Sequence, residues 1–208
     1  MRVAVASLIL LAVSYFAHGR EPEMTTVEEV LAVVDNTPIL YSDIELAALT
    51  QLVEHQPDER EEDYRSRLLD ARIRLELQFH DLETSGKLFR IDLAPGAVRE
   101  SLVNRAGGMA TLGPKLEAAG LVLSDLDELA LRLAAVDAFV TQRLRPRVSV
   151  SMEEIEAAYR RLLVEEFEDS GKPTPPLSSV SDQIRRLLVE RKLNDEIERW
   201  LEQAGERQ

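Results

Sequence analysis

The 208-residue chain carries 38 Asp and Glu against 25 Lys and Arg, a formal charge of −13, and contains no Cys. Such an excess of carboxylates, with no basic run or tail, repels phosphate backbones and anionic headgroups, so nucleic acid is not an expected partner. Without thiols there are no disulfides, no thiolate chemistry and no lipidated cysteine, and an oxidising compartment leaves the chain untouched.

At the start, Arg2 precedes an apolar run from Val3 to Phe16, and Ala17-His18-Gly19 supplies small residues at cleavage positions. That order reads as a secretory signal over residues 1–19, with the mature protein beginning near Arg20. The run is shorter than the ~20 residues a bilayer span needs, so export is expected rather than anchoring. No other sustained apolar run follows, and no stable membrane insertion is expected after cleavage. The remainder is of ordinary single-domain size.

A β-hairpin is expected next. Val30-Leu-Ala-Val-Val34 and Pro38-Ile-Leu-Tyr41 flank the turn formers Asp35-Asn36-Thr37. Ser42, with Glu45 three residues on, has the form of a capping box opening a helix that Pro57 interrupts. A long amphipathic helix follows from Asp58 to about Ser85, with apolar Tyr64, Leu68, Ala71, Leu75 and Phe79, and Gly86 stops it. Pro95 opens a shorter helix ended by Gly107-Gly108, and another carries Leu112, Leu116 and Ala119 up to Gly120. Ser124 with Asp127 caps a helix through Leu126, Leu129, Leu133 and Val140, ending before Pro146.

Arg147 to Val150 reads as a strand or extended connector, and Ser151 with Glu154 as another capping box. The helix behind it buries Ile155, Ala158, Tyr159 and Leu162. Residues 169–177 are rich in Pro and form a linker. They divide a helical body at 20–168 from a last helix at 178–208. That helix presents Val180, Ile184, Leu187, Leu188, Ile197, Trp200 and Leu201 along one side. The expected fold is mainly α, with a small N-terminal hairpin and a long C-terminal helix packing back on the body.

Residues able to do chemistry are sparse. His18 lies in the signal, His55 in a polar loop, and His80 one turn after Glu76 on the long helix, where a solvated pair is the expected state. No His-rich or Cys-rich segment completes a metal site. Gly107-Gly108 lacks the Lys of a phosphate loop and reads as a helix break. Carboxylate pairs such as Glu61-Glu62, Glu153-Glu154 and Glu165-Glu166 lie in charge-rich helices and read as solvated faces. Tyr64, Phe79, Phe139, Tyr159 and Trp200 fall on apolar faces and are expected mostly in the core. No catalytic residue, no metal and no cofactor are expected.

The ordered set of hairpin, capped helix, long helix, helix pair, helix, connector and helix resembles the chaperone core of the SurA-type periplasmic chaperones. The segment Val30-Leu-Ala-Val-Val-Asp-Asn-Thr-Pro-Ile-Leu-Tyr-Ser-Asp-Ile44 looks like that family's opening. The segments Arg145 to Ile155 and Ser178 to Leu188 are similar to its exit from the N-terminal region and its closing helix. Many members insert parvulin-type prolyl isomerase domains before that closing helix. Here only Glu165 to Leu177 fills the interval, too short for a domain of roughly a hundred residues. The chain's end at Gln208, soon after Trp200-Leu201, leaves little room for a terminal strand. The resemblance implies a periplasmic, ATP-independent holdase without the isomerase, binding unfolded or extended polypeptides of exported and outer-membrane proteins in an apolar groove. Leu88, Phe89, Met109, Leu112 and Leu116 are the groove candidates, since they lie near short helices and loops that a core covers least. The competing expectation is an assembly partner for one folded envelope protein. Exchange of the last helix between copies through the linker is a route to a homo-oligomer.

Overall fold

A computed structural model describes residues 28–161 and 175–205. The expected signal at 1–19, Leu162, positions 169–174 of the expected linker and the last three residues lie outside the described residues.

The hairpin pairs β1 (Val30–Val34) with β2 (Thr37–Leu40) in an antiparallel two-stranded sheet. Val34 faces Thr37, so Asp35-Asn36 alone makes the turn, with Asp35 at φ 53°. Asp tolerates that left-handed backbone because its short side chain bonds locally. Thr37, expected in the turn, therefore belongs to the strand. The register slips between Val30 and Ala32, leaving Leu31 as a bulge.

Helix α1 (Tyr41–Leu49) starts one residue after β2. Its N-terminus is not held by the expected Ser42–Glu45 box. The Leu40 N–H instead donates to Asp43 Oδ2 at 2.8 Å, while Glu45 pairs with Arg65 at 2.9 Å. Helix α2 (Glu61–Thr84) runs through the centre of the fold, with Glu61, Glu62 and Asp63 in its first turn where the dipole favours them. Gly86 follows at φ 66°, a conformation that glycine adopts without steric cost. A single 3₁₀ turn, Leu88–Arg90, leads to α3 (Pro95–Arg105) and α4 (Met109–Ala118), separated by Gly107 and Gly108, both at φ 88°.

Helix α5 (Leu123–Phe139) shows the same capping shift as α1. The Val122 N–H donates to Asp125 Oδ2 at 2.8 Å, and Asp127, the expected cap partner, instead accepts from Arg99 at 2.6 Å. The helix widens into a π-turn, Val140–Leu144, before a 3₁₀ turn at Arg145–Arg147 that contains Pro146. The Arg145 N–H reaches Val140 O, five residues back. This wide turn brings Phe139 and Leu144 into one buried cluster. Residues 148–151 are an extended connector, with no strand among them.

Helix α6 (Met152–Tyr159) begins with the expected box. Ser151 Oγ accepts from the Glu154 N–H at 3.2 Å and the Ser151 N–H donates to Glu154 Oε2 at 2.9 Å. Helix α7 (Leu177–Gly205) is 29 residues long, about 43 Å at 1.5 Å per residue. It packs back on the body in two places. Near its start, Ile184 joins Ile155 and Ala158 of α6. Near its end, Leu193 and Trp200 join Leu82 of α2 and Phe139. Two partners in different directions explain why the single stripe read from sequence is imperfect: Leu187 is 57% exposed, while Leu193 is buried.

Two further clusters complete the core. Val34 and Ile39 of the hairpin pack on Ile44, Ala47, Tyr64 and Leu68. Leu75 of α2 packs with Leu102, Leu112, Leu116, Leu126 and Leu129 from α3, α4 and α5. Each fully buried leucine contributes about 1.5–3 kcal/mol over an exposed one, so α2, which feeds three clusters, is the organising element.

Candidate functional site

The buried charges of the described residues are engaged in ion pairs. On α2, the Arg72 Nη2 donates to Asp43 Oδ1 at 2.9 Å, and Glu76 Oε2 accepts from Arg132 Nε at 3.0 Å. These pairs line a polar cleft of about 390 Å³ beside the hairpin and tie α1, α2 and α5 together. Arg132 also reaches Glu128 at 2.6 Å and lies 5.2 Å from the Phe79 ring. Burial lowers its pKa, but the Glu128 and Glu76 carboxylates together outweigh that and raise it, so it stays charged. His80, expected beside Glu76, instead has Nε2 3.2 Å from Asp35 Oδ2 at the hairpin turn. Among the described residues no group of three or more His, Cys, Asp or Glu is placed to hold a metal ion.

Two further open surfaces among the described residues stand out by their lining. The first is a shallow groove of about 360 Å³ between α2 and α5. Leu52, Ala71, Leu75, Leu133, Val136 and Val140 make its lining mostly apolar. Its walls arise from the helical period: Ala71, Leu75 and Gln78 are three or four apart on α2, as are Leu133, Val136 and Val140 on α5 and its π-turn. Among the described residues no helix is long and apolar enough to cross a membrane.

The second surface is a cleft of about 570 Å³ where the Leu88–Arg90 turn, the π-turn and the end of α7 meet. Phe139 and Trp200 form its floor, their ring centroids 4.6 Å apart at 48°. The Trp200 Nε1–H donates to Asp81 Oδ2 at 2.7 Å, and Lys87 Nζ sits 2.6 Å from the same oxygen and 5.6 Å from the Phe139 ring. The walls carry Lys87, Arg90, Arg143, Arg147 and Arg199, with Glu196 the one carboxylate in the lining. Arg199 is paired with Glu196 at 2.7 Å, and Arg143 donates to the Arg90 carbonyl.

The five residues singled out from sequence separate into three groups. Leu112 is wholly buried and Leu116 nearly so, and both sit in the α3–α4–α5 core. They therefore line no groove, because the short α4 is covered by its neighbours. Met109, at the start of α4, is 36% exposed and lines neither open surface. Leu88 packs half-buried against the Phe139 and Trp200 cluster, while Phe89 is 92% exposed between Lys87 and Arg90 of the cleft. Sequence reasoning missed both grooves as units. Ala71, Leu133 and Val140 read from sequence as helix faces, and the cations lie on separate segments with no local run to mark them.

The chain matches no protein-family model, no curated protein and no solved structure.

Proposed function

We propose that this chain is an exported, ATP-independent chaperone of the periplasm that holds extended segments of unfolded exported or outer-membrane proteins. The observation that carries the proposal is the open apolar groove between α2 and α5 on a chain of charge −13. An apolar groove offers burial to a chain that has not yet buried its own side chains, while a strongly charged body keeps the complex in solution. The ordered likeness to SurA-type chaperones and the signal-like residues 1–19 support the same reading. So does Phe89, a large apolar side chain left almost entirely in solvent. Release is passive, since shallow apolar contact gives modest affinity.

The test is light scattering of an unfolded barrel protein diluted out of denaturant, with and without a near-stoichiometric amount of this protein. Delay of aggregation is expected, and Ala71→Arg, which puts a charge at a half-buried position of the groove, abolishes it. Failure of the unsubstituted protein to delay aggregation would refute the proposal.

A further inference from the structure

We infer that the cleft between the Leu88–Arg90 turn, the π-turn and the end of α7 binds an acidic segment of a polypeptide that also carries an aromatic side chain. This rests on the preceding reading that the protein binds extended chains, and it names the class of segment selected.

Charge is the first support. On a chain with 38 acidic residues, five cationic side chains gathered around one cleft with a single lining carboxylate is a local reversal of sign. Not all five are equally available. Lys87 is held by Asp81, Arg199 by Glu196, and Arg143 by a backbone carbonyl. The Arg90 and Arg147 side chains make no hydrogen bond or ion pair among the described residues. Those two guanidiniums are the free forks, and a guanidinium matches a carboxylate in two parallel hydrogen bonds.

The floor is the second support. Phe139 and Trp200 give the cleft an aromatic base beneath its cations, and Phe89 stands exposed beside Arg90. An entering ring finds the exposed Phe89 ring and the neighbouring Arg90 guanidinium together, an arrangement that favours rings over aliphatic side chains. The acidic remainder of the molecule disfavours a long polyanion, whereas a short acidic segment contacts the cleft alone.

Trp200 is the one Trp of the chain, so its emission reports on the cleft directly. Short fluorescein-labelled peptides are titrated with the whole protein and followed by anisotropy: an acidic peptide with a central Phe, the same with Ala, and a Lys-rich peptide with Phe. Unlabelled copies are titrated against Trp200 emission. The acidic Phe peptide is expected to bind, to shift that emission, and to weaken as salt shortens the screening length below ~10 Å. The Ala peptide binds less well and the Lys peptide not at all. Each exposed guanidinium–carboxylate pair is worth about two- to fivefold, so Arg90→Gln with Arg147→Gln lowers affinity by about tenfold. Arg105→Gln, exposed on α3 away from the cleft, leaves it unchanged.

Equal binding of the Lys peptide, or unchanged affinity in the double variant with an unaltered circular dichroism spectrum, overturns the inference. So does tighter binding of anionic vesicles or an oligonucleotide with the same dependence on Arg90 and Arg147. The outcome is separable from the chaperone reading. Delayed aggregation without peptide binding removes the cleft assignment alone, and peptide binding without delayed aggregation supports the cleft and removes the chaperone.

Discussion

Trp200→Ala removes the side chain that fastens the end of α7 to the body. Trp200 is 5% exposed, lies against Phe139, and donates its indole N–H to the Asp81 carboxylate. Emptying a buried aromatic site costs about 3–5 kcal/mol, because transfer energy is lost and a cavity remains. The lost hydrogen bond falls within that range, since Lys87 continues to neutralise Asp81 at 2.6 Å. With a urea m-value of about 2 kcal/mol/M the unfolding midpoint falls by about 1.5–2.5 M. Far-UV circular dichroism is the assay, because the substitution removes the only indole. Leu187→Ala is the internal comparison: on the same helix but 57% exposed, it shifts stability by no more than about 0.5 kcal/mol. If Trp200→Ala costs less than Leu187→Ala, or both cost little, α7 is not docked on α2 and α5 as described.

Leu112→Ala is expected to cost about 2–5 kcal/mol, and Phe89→Ala within about 0.5 kcal/mol, in thermal or urea unfolding, since one is core and the other solvent-facing. Asp43→Ala costs about 3 kcal/mol or more because it strands Arg72, whose Nε and Nη1 already lack hydrogen-bond partners among the described residues. Arg72→Met, which removes the buried charge itself, is near neutral by the same measurement. The hydrogen bond from Lys192, and next the Ser151 N–H, hold the Glu154 carboxylate below its ordinary 4.5. A depressed folded pKa stabilises above the unfolded value and loses that stabilisation as pH falls through the folded one. Glu154→Gln therefore lowers the melting temperature at pH 7, and the difference from the unsubstituted protein closes below about pH 4.5.

Helix stops were legible because they are local: Gly86, Gly107, Gly108 and Gly120 all take positive φ where the sequence reading placed the ends. Helix starts were less so. A carboxylate at the third helical position, Asp43 or Asp125, serves a backbone N–H whatever residue carries it, and here those residues are Leu40 and Val122. The Ser-based signature was obeyed only at Ser151. Leu187 of the expected stripe is exposed and Leu193, outside it, is buried because α7 meets both α6 and α2, which one hydrophobic stripe cannot encode. The cationic cleft was not legible. Its cations lie in and beside two 3₁₀ turns, in the π-turn and in α7, and only folding brings these separate segments together. The apolar groove was equally hidden, since Leu133 and Val136 have the spacing of buried residues and their half-exposure depends on how closely α2 approaches.

The most direct measurement is site-specific photo-crosslinking in the cell envelope, with the crosslinking side chain placed at Ala71 in the groove and, for comparison, at exposed Glu62 near the start of α2. A ladder of many exported proteins captured from Ala71 and not from Glu62 is the predicted result. Capture of one folded partner, or the same products from both positions, would contradict the account.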